Sequence, residues 1–143
     1  MSDSAKRRKK MKISGKKLFL ALVLLFILWS ALLWLPVTER ICLNILKEPG
    51  EDVRLVLVTD LHSCKYGKEQ QSLIKRIDRE KPDLVLMSGD IFDDRIDDAN
   101  AKAFIEGIAD KYPCYYVTGN HEFWSGRADE IKAYLKGEGV KVL

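Results

Sequence analysis

The chain has 143 residues, the size of one domain at most, and its charge is divided unevenly along its length. Residues 1–40 carry nine Lys and Arg against two acidic residues, whereas the rest carries 15 basic against 19 acidic residues. The net charge of +3 therefore combines a basic tail with a mildly acidic domain, and we expect no nucleic-acid partner. The three cysteines form no CxxC pair, which excludes a zinc ribbon and a thioredoxin-type motif.

The first predicted element is a membrane-spanning helix over Leu18–Val37, which follows a basic tail over residues 1–17. It contains 18 consecutive residues, LFLALVLLFILWSALLWL, with Ser30 as the single clearly polar side chain. As a helix this stretch would be about 27 Å long, close to the roughly 30 Å hydrocarbon core of a bilayer. Pro36 then ends the helix. A cleaved signal peptide is the alternative, but the apolar stretch is long for one and no small-x-small cleavage pattern follows it.

The distribution of positive charge predicts the orientation of this anchor. Eight Lys and Arg precede the apolar stretch, so the positive-inside tendency keeps the tail in the cytoplasm and exports the remainder. The basic tail would also bind anionic lipid headgroups. We therefore expect a single-pass protein of the cell membrane, with the lipid bilayer as a partner. A juxtamembrane linker over residues 38–50 would lead to an extracytoplasmic domain over residues 51–143.

Beyond residue 50 the hydrophobic pattern alternates between short strands and helices. Apolar runs rich in β-branched residues predict four strands, over residues 53–59, 83–88, 114–118 and 140–143. Apolar residues at helical spacing predict three intervening helices, over residues 68–80, 99–111 and 128–136. This alternation is typical of βαβ units and predicts an α/β fold with a mainly parallel sheet. It does not determine the order of the strands.

A polar cluster follows each of the first three strands. The clusters are Asp60-Leu61-His62, Gly89-Asp90-Ile91-Phe92-Asp93 and Gly119-Asn120-His121-Glu122. Parallel strands end at the same edge of a sheet, so we expect the clusters to converge on one crevice, where open α/β folds bind ligands. In an extended Asp-x-His segment, Asp60 and His62 would point to the same side and reach one ion. Carboxylate, imidazole and amide oxygen suit Mn²⁺, Fe, Zn²⁺ or Mg²⁺, and a carboxylate such as Asp90 can bridge two ions.

Each of these residues also has a structural interpretation. An aspartate after a strand often caps a helix or closes a turn. This is the preferred interpretation for the four aspartates before the second helix of the domain: Asp93, Asp94, Asp97 and Asp98. For the other residues the joint order favours a metal site, because Asp60, Asp90 and Asn120 follow one another at intervals of 30 residues, about one βαβ repeat.

The three clusters, in this order and each after a strand, resemble the first three signature blocks of the calcineurin-like metallophosphoesterases. The resemblance covers about residues 51–143 and is greatest to bacterial membrane-associated phosphodiesterases, which also begin with an apolar segment. It implies a metal-dependent hydrolase of phosphodiesters or phosphomonoesters. It also implies two divalent metal ions with a bridging hydroxide as the nucleophile, and the first half of an αββα sandwich.

The resemblance further implies a role for individual residues as metal ligands. Asp60 and His62 would bind the first metal ion. Asp90 would bridge both ions, and Asn120 would bind the second. A phosphate ester would be the substrate held between these ions and the protein.

Three further residues would act without binding metal. His121 would contact the phosphate and protonate the leaving oxygen, which makes it the candidate catalytic residue. Asp93 would accept a hydrogen bond beside the ligands, and Glu122 would orient its neighbours.

One departure from the family pattern concerns the later ligands. The family completes its site with further histidines, including a Gly-His-x-His block, whereas this chain contains only His62 and His121. We therefore expect the 143 residues alone to have little or no activity. Two hypotheses follow: the chain is the N-terminal part of an exported phosphoesterase, or it is a membrane-anchored pseudoenzyme or binding module without catalysis. A continuation beyond Leu143 that encodes a Gly-His-x-His block would support the first, and a stop codon the second.

Overall fold

The computed structural model describes residues 14–33, 37–43, 50 and 52–143, and the chain divides into two compact units, Met1–Leu43 and Asn44–Leu143. In the first unit, α1 (Gly15–Leu33) is a continuous helix whose large apolar side chains are mostly more than half exposed, for example Phe19 at 70%. Within the described ranges, no helix combines the length and the apolar character needed to cross a membrane.

Several of the predicted N-terminal segments fall partly outside the described residues. The predicted tail includes residues 1–13, the predicted span includes residues 34–36, and the predicted linker includes residues 44–49. The transmembrane helix and the boundaries of these segments therefore stay predictions.

The second unit contains a four-stranded parallel sheet in the order β1-β2-β3-β4. The strands are β1 (Leu55–Val58), β2 (Leu84–Ser88), β3 (Cys114–Val117) and β4 (Lys141–Val142). The predicted α/β class and parallel pairing are confirmed, and each strand is shorter than predicted. Since consecutive strands are neighbours, the polar loops after β1, β2 and β3 follow one another along one edge of the sheet.

Helices α2 (Gln71–Glu80), α3 (Ala99–Ala109) and α5 (Ala128–Gly137) connect these strands, as predicted. Right-handed crossovers between successive parallel strands place such helices on the same face of the sheet. Burial agrees with this, because alternate strand residues such as Met87 and Tyr116 are fully buried in one core with side chains of the helices. On the opposite face, Leu55 and Leu57 of β1 are 51% and 57% exposed. The second layer of the expected sandwich stays a prediction.

The helix predicted over residues 68–80 begins three residues later than expected. Lys68–Gln70 form a separate 3₁₀ turn, because Glu69 and Gln70 have left-handed backbone conformations with φ of 49° and 56°. The buried Gln70 amide explains the break: it accepts a hydrogen bond from Tyr66 N at 2.6 Å and donates to the carbonyl oxygen of Cys64 at 2.7 Å. Tertiary hydrogen bonds therefore override the helical pattern here.

A short helix that the sequence patterns do not predict, α4 (Asn120–Trp124), begins inside the third polar cluster. Glu122, three positions after Gly119, accepts a hydrogen bond from Gly119 N at 2.9 Å. A glutamate at this spacing is half of a capping box, the sequence signal that would have located the helix.

Candidate metal centre

The loops after the first three strands converge at the carboxyl edge of the sheet, as predicted. The first two loops run side by side, with His62 N donating to the carbonyl oxygen of Asp90 at 2.8 Å and Ser63 N to that of Ile91 at 3.0 Å. The third loop joins them, since His121 N donates to Asp90 Oδ1 at 2.9 Å. Backbone hydrogen bonds thus fix three distant segments against one another.

Two glycines determine how closely the second and third loops approach. A Cβ atom on Gly89 would lie 2.7 Å from the Cα of Gly119, and Gly89 also has a left-handed φ of 75°. A Cβ atom on Gly119 would collide with the carboxylate of Asp90. Only glycine at both positions lets His121 come within hydrogen-bonding distance of Asp90.

Asp60, His62 and Asp90 form the first group of possible metal ligands. One ligand atom from each lies within 4.8 Å of the others, and His62 Nε2 is 3.7 Å from Asp60 Oδ1. The extended backbone expected for Asp60 and His62 is wrong, because both have left-handed conformations, with φ of 55° and 47°, as does Asp90 with φ of 53°. Each such residue costs on the order of 1–3 kcal/mol, a strain that is typical of functional sites. The residues therefore meet through tight loops and not through strand alternation.

His62, Asp93 and His121 form a second group, which shares His62 with the first. Asp93 Oδ2 lies 3.5 Å from Nδ1 of each histidine, and the two imidazole rings meet edge to face with centroids 4.4 Å apart. The other oxygen of Asp93 accepts hydrogen bonds from Arg95 N at 2.8 Å and Ile96 N at 2.9 Å. Asp93 therefore closes a turn, as its structural interpretation predicts, and turns its remaining oxygen towards both histidines.

Asp94 has a role that sequence reasoning missed. Its Oδ1 lies 2.8 Å from His121 Nδ1, and this hydrogen bond is the main cause that lowers the pKa of Asp94 below its usual value. This contact is additional to the cap or turn role that the sequence predicts for Asp94, which stays a prediction. Its neighbour Asp97 closes a turn before α3, since its carboxylate accepts a hydrogen bond from Ala99 N at 2.8 Å.

The last aspartate of this loop, Asp98, forms an ion pair instead of a side-chain cap. Arg127 donates to its two carboxylate oxygens at 2.7 and 3.0 Å. This pair ties the start of α3 to the start of α5.

Glu122 is fully buried and joins the second loop to the third. Its carboxylate accepts four backbone hydrogen bonds, from the N–H groups of Asp90 at 3.0 Å, Ile91 at 2.8 Å, Phe92 at 3.0 Å and Gly119 at 2.9 Å. Hydrogen bonds to a charged acceptor compensate the cost of burying it. Burial, together with the negative charge of Glu122, raises the pKa of the neighbouring Tyr116 and keeps that phenol neutral. The structure thus gives a physical basis for the expectation that Glu122 orients its neighbours.

Asn120 begins α4 and is exposed. It directly precedes His121, so it lies at the margin of the cluster, but among the described residues its side chain makes no hydrogen bond to the other expected ligands. Binding of a second ion by Asn120 and bridging by Asp90 stay predictions.

The residues of this edge fit a divalent cation. Across residues 52–143, neither Asp60 nor Asp90 forms an ion pair with Lys or Arg, although their carboxylates lie close together. His62 Nδ1 is buried and has no hydrogen-bond partner. The oxygen and imidazole donors of this edge suit Mn²⁺, Fe, Zn²⁺ or Mg²⁺.

The family model of the calcineurin-like phosphoesterases matches residues 53–141, which include every residue of this centre. This chain belongs to that family. The resemblance inferred from the three polar clusters is thereby confirmed.

Three curated relatives share this domain with the chain. An uncharacterized metallophosphoesterase of Campylobacter jejuni is 30% identical over 98 residues, which cover 65% of this chain and 26% of the relative. An uncharacterized metallophosphoesterase of Aquifex aeolicus is 27% identical over 99 residues, covering 66% and 37%. A transmembrane protein with a metallophosphoesterase domain from Danio rerio is 26% identical over 103 residues, covering 68% and 23%.

The chain therefore spans between 23% and 37% of the length of these relatives. No solved protein structure matches it.

Proposed function

We propose that this protein is a metal-dependent phosphoesterase that hydrolyses phosphodiesters or phosphomonoesters at the carboxyl edge of its sheet. The observation that carries the proposal is the convergence of Asp60, His62 and Asp90 within 4.8 Å in a calcineurin-like phosphoesterase domain. Because the chain spans less than two thirds of its relatives, the proposal concerns the longest product that the gene encodes.

Two divalent metal ions are the proposed cofactors. Asp60 and His62 would hold the first, Asp90 would contact both, and Asn120 would help to hold the second. Bound ions of this kind polarise phosphoryl oxygens and lower the pKa of water, so that hydrolysis proceeds near neutral pH.

The protein's own groups orient the substrate and move a proton. The backbone N–H of His121 donates to Asp90 at 2.9 Å, and its ring lies 4.4 Å from that of His62, so the ring would border a phosphate held by these expected ligands. It would donate a proton to the leaving oxygen as the P–O bond breaks. Glu122 and the two glycines hold the backbone that sets the distance between His121 and Asp90.

Removal and return of metal tests this proposal. We expect the longest gene product to hydrolyse bis-p-nitrophenyl phosphate with Mn²⁺, to lose this activity after chelation, and to regain it when Mn²⁺ is added back. Hydrolysis that persists in full after chelation would contradict the proposal. Tight binding of Mn²⁺ without turnover on phosphodiester or phosphomonoester probes would instead favour the pseudoenzyme or binding-module hypothesis.

We also propose that the N-terminal segment attaches the protein to the cell membrane, with the phosphoesterase domain outside the cytoplasm. The exposed apolar side chains of α1, such as Phe19 at 70% and Phe26 at 64%, support attachment, because water would otherwise contact them. The name of the Danio rerio relative, a transmembrane protein, points the same way.

The exposed Cys42 allows a test of this orientation. In intact cells, a membrane-impermeant maleimide should label Cys42 in a variant without the other two cysteines. A cysteine placed at Ser4 in a cysteine-free variant should react only after the cells are opened. Labelling of position 4 alone in intact cells would contradict the proposed orientation, and recovery of the protein in the soluble fraction would contradict attachment.

A further inference from the structure

A large aromatic side chain beside the candidate metal centre lies mostly in solvent. Trp124, the last residue of α4, is 68% exposed. Among the aromatic residues of the range 52–143, only Trp124 and its neighbour Phe123 are exposed, whereas the others are buried or half-buried. Tryptophan is the largest apolar side chain and is usually well covered, so an exposed one at the edge of a site calls for a ligand.

The geometry of α4 places Trp124 against the centre. His121 and Trp124 are three positions apart on this helix, so they lie on the same face. Their rings are in contact, with centroids 4.9 Å apart and planes inclined by 55°. The ring of His121 also meets that of His62, at a centroid distance of 4.4 Å. The three rings therefore form a chain of contacts that starts at an expected metal ligand and ends in solvent at Trp124.

Phe123 differs from Trp124 although the two are neighbours in sequence. It is two positions from His121, and residues at this spacing do not face each other on a helix. Lys132 Nζ of α5 lies 5.6 Å from the centroid of the Phe123 ring, a cation–π contact. Since Phe123 is 62% exposed, close to the value for Trp124, it offers a matched control.

The main chain that carries Trp124 is held on both sides. Glu122 fixes the start of α4 through its four backbone hydrogen bonds. Beyond the indole, Ser125 Oγ donates to the carbonyl oxygen of Glu122 at 2.7 Å, and Gly126 N to that of Phe123 at 3.0 Å. An aromatic surface presented from a fixed main chain loses little conformational entropy when a ligand binds to it.

We propose that Trp124 is a specificity-determining residue that binds a flat, apolar part of the leaving group, such as an aromatic ring. The inference rests on the proposed phosphoesterase function, in which the ring of His121 borders the leaving oxygen. A group attached to that oxygen extends past His121, and the indole is the exposed aromatic surface in contact with this ring. An aromatic ring placed against the indole removes apolar area of both from water, whereas a methyl group is too small to cover it.

Equilibrium binding of two phosphonates tests this without turnover, because phosphoesterase chemistry does not break their P–C bond. Isothermal titration calorimetry on the longest gene product with Mn²⁺ gives the Kd of benzylphosphonate and of methylphosphonate. The wild type should bind benzylphosphonate about 3- to 10-fold more tightly, as expected for one aromatic pair. Equal affinities, or no binding of either phosphonate, would overturn the proposal.

Three variants then assign the preference to one side chain. Trp124→Ala should bring the ratio of the two Kd values close to one, and Trp124→Phe should retain part of the preference. Phe123→Ala should leave the ratio unchanged. The ratio is the informative quantity, because a displaced His121 or a lost metal ion would weaken both phosphonates alike. A preference that persists in Trp124→Ala, or that Phe123→Ala abolishes equally, would contradict the assignment.

Packing of the remainder of the longest gene product over the indole is the competing outcome. In that case Trp124→Ala would lower the midpoint of thermal unfolding well below that of Phe123→Ala and leave the ratio of Kd values unchanged. This combination would overturn the proposal. Similar midpoints for the two variants, together with a lost preference in Trp124→Ala alone, would support it.

Kinetics separate this inference from the proposed function. Trp124→Ala should lower kcat/KM for bis-p-nitrophenyl phosphate by about 3- to 10-fold, and Phe123→Ala should not change it. Undiminished kcat/KM in Trp124→Ala would contradict the role of Trp124 and leave the proposed function intact. If the wild type hydrolyses no phosphate ester, the proposed function fails, while the ratio of Kd values still decides the role of Trp124.

Discussion

The domain contains two groups of carboxylates whose surroundings differ sharply. Asp78, in the groove between α2 and α3, accepts hydrogen bonds from Tyr112 Oη at 2.7 Å and Lys111 Nζ at 3.1 Å. At the carboxyl edge of the sheet, Asp60 and Asp90 lie within 4.8 Å of a shared histidine, and the described residues offer them no Lys or Arg.

The difference separates a carboxylate that stabilises the fold from two that the proposed function assigns to metal binding. The hydrogen bond from Tyr112 is the main cause that lowers the pKa of Asp78, so the fold itself satisfies this charge. Asp60 and Asp90 instead have left-handed backbones and are brought together by hydrogen bonds between loops. Strained backbones at acidic residues without a Lys or Arg partner support the proposed cation site at this edge.

The largest effect should come from Asp90→Asn. The amide retains an oxygen for His121 N but loses the charge that would hold metal, so we expect the affinity for Mn²⁺ and the turnover each to fall by more than about 100-fold. Substituting even a residue that only supports a metal ligand lowers metal affinity or activity by about 10- to 100-fold. Mn²⁺ titration and initial rates measure this. Asp97→Asn, in the same loop but facing α3, is the control and should change neither; undiminished turnover in Asp90→Asn would refute the role of Asp90.

The next largest effect should come from Glu122→Gln, which tests the buried carboxylate between the two loops. The single oxygen of glutamine cannot accept hydrogen bonds from all four N–H groups. Its own NH₂ group would lie against some of these backbone donors. We expect a loss of about 2–4 kcal/mol in the free energy of unfolding, because buried donors would be left unsatisfied. Urea denaturation measures it. Glu130→Gln makes the same change on the exposed first turn of α5 and should lower the free energy of unfolding by at most about 1 kcal/mol. Equal losses in the two variants would show that the four hydrogen bonds to Glu122 do not add to stability.

A smaller effect is expected from the backbone contact at Gly119. Gly119→Ala places a methyl group against Asp90, and we expect a loss of about 1–3 kcal/mol in the free energy of unfolding, together with weaker Mn²⁺ binding. Gly137→Ala adds the same methyl group in open space near the end of α5. It should leave Mn²⁺ binding unchanged and stabilise the protein by about 0.5–1 kcal/mol. Unchanged stability and metal binding in Gly119→Ala would mean that the two loops are not in contact.

The smallest effect is expected at Asp78. Its side chain is 37% exposed, so Asp78→Asn should cost no more than about 1 kcal/mol near neutral pH. The pKa of Asp78 is lowered in the folded state, so its contribution is complete above the unfolded pKa of about 3.9 and is lost as the pH falls through the folded value. Denaturation at several acidic pH values should therefore show wild type and variant converging as the pH falls. A gap that widens in acid would contradict this assignment.

How far the sequence predicts the structure differs between the sheet and the loops. Hydrophobic period and the order of the polar clusters are local patterns, and they predict the parallel sheet and its polar carboxyl edge. The left-handed backbone of Asp60 and the pairing of Asp94 with His121 depend on contacts between residues tens of positions apart, so no local pattern contains them. The α4 helix is an intermediate case, because the spacing of Gly119 and Glu122 is a local signal for a helix start that hydrophobic periodicity does not detect.

The convergence of Asp60, His62 and Asp90 around a cation can be tested most directly by adding Mn²⁺ below stoichiometric amounts to the ¹⁵N-labelled chain. Paramagnetic Mn²⁺ broadens the signals of nearby amides first. We expect the amides of Asp60, His62 and Asp90 to broaden before any in the α2–α3 groove, where Asp78 lies. Broadening that begins in that groove, or that spreads evenly over all acidic residues, would contradict a metal centre at the carboxyl edge of the sheet.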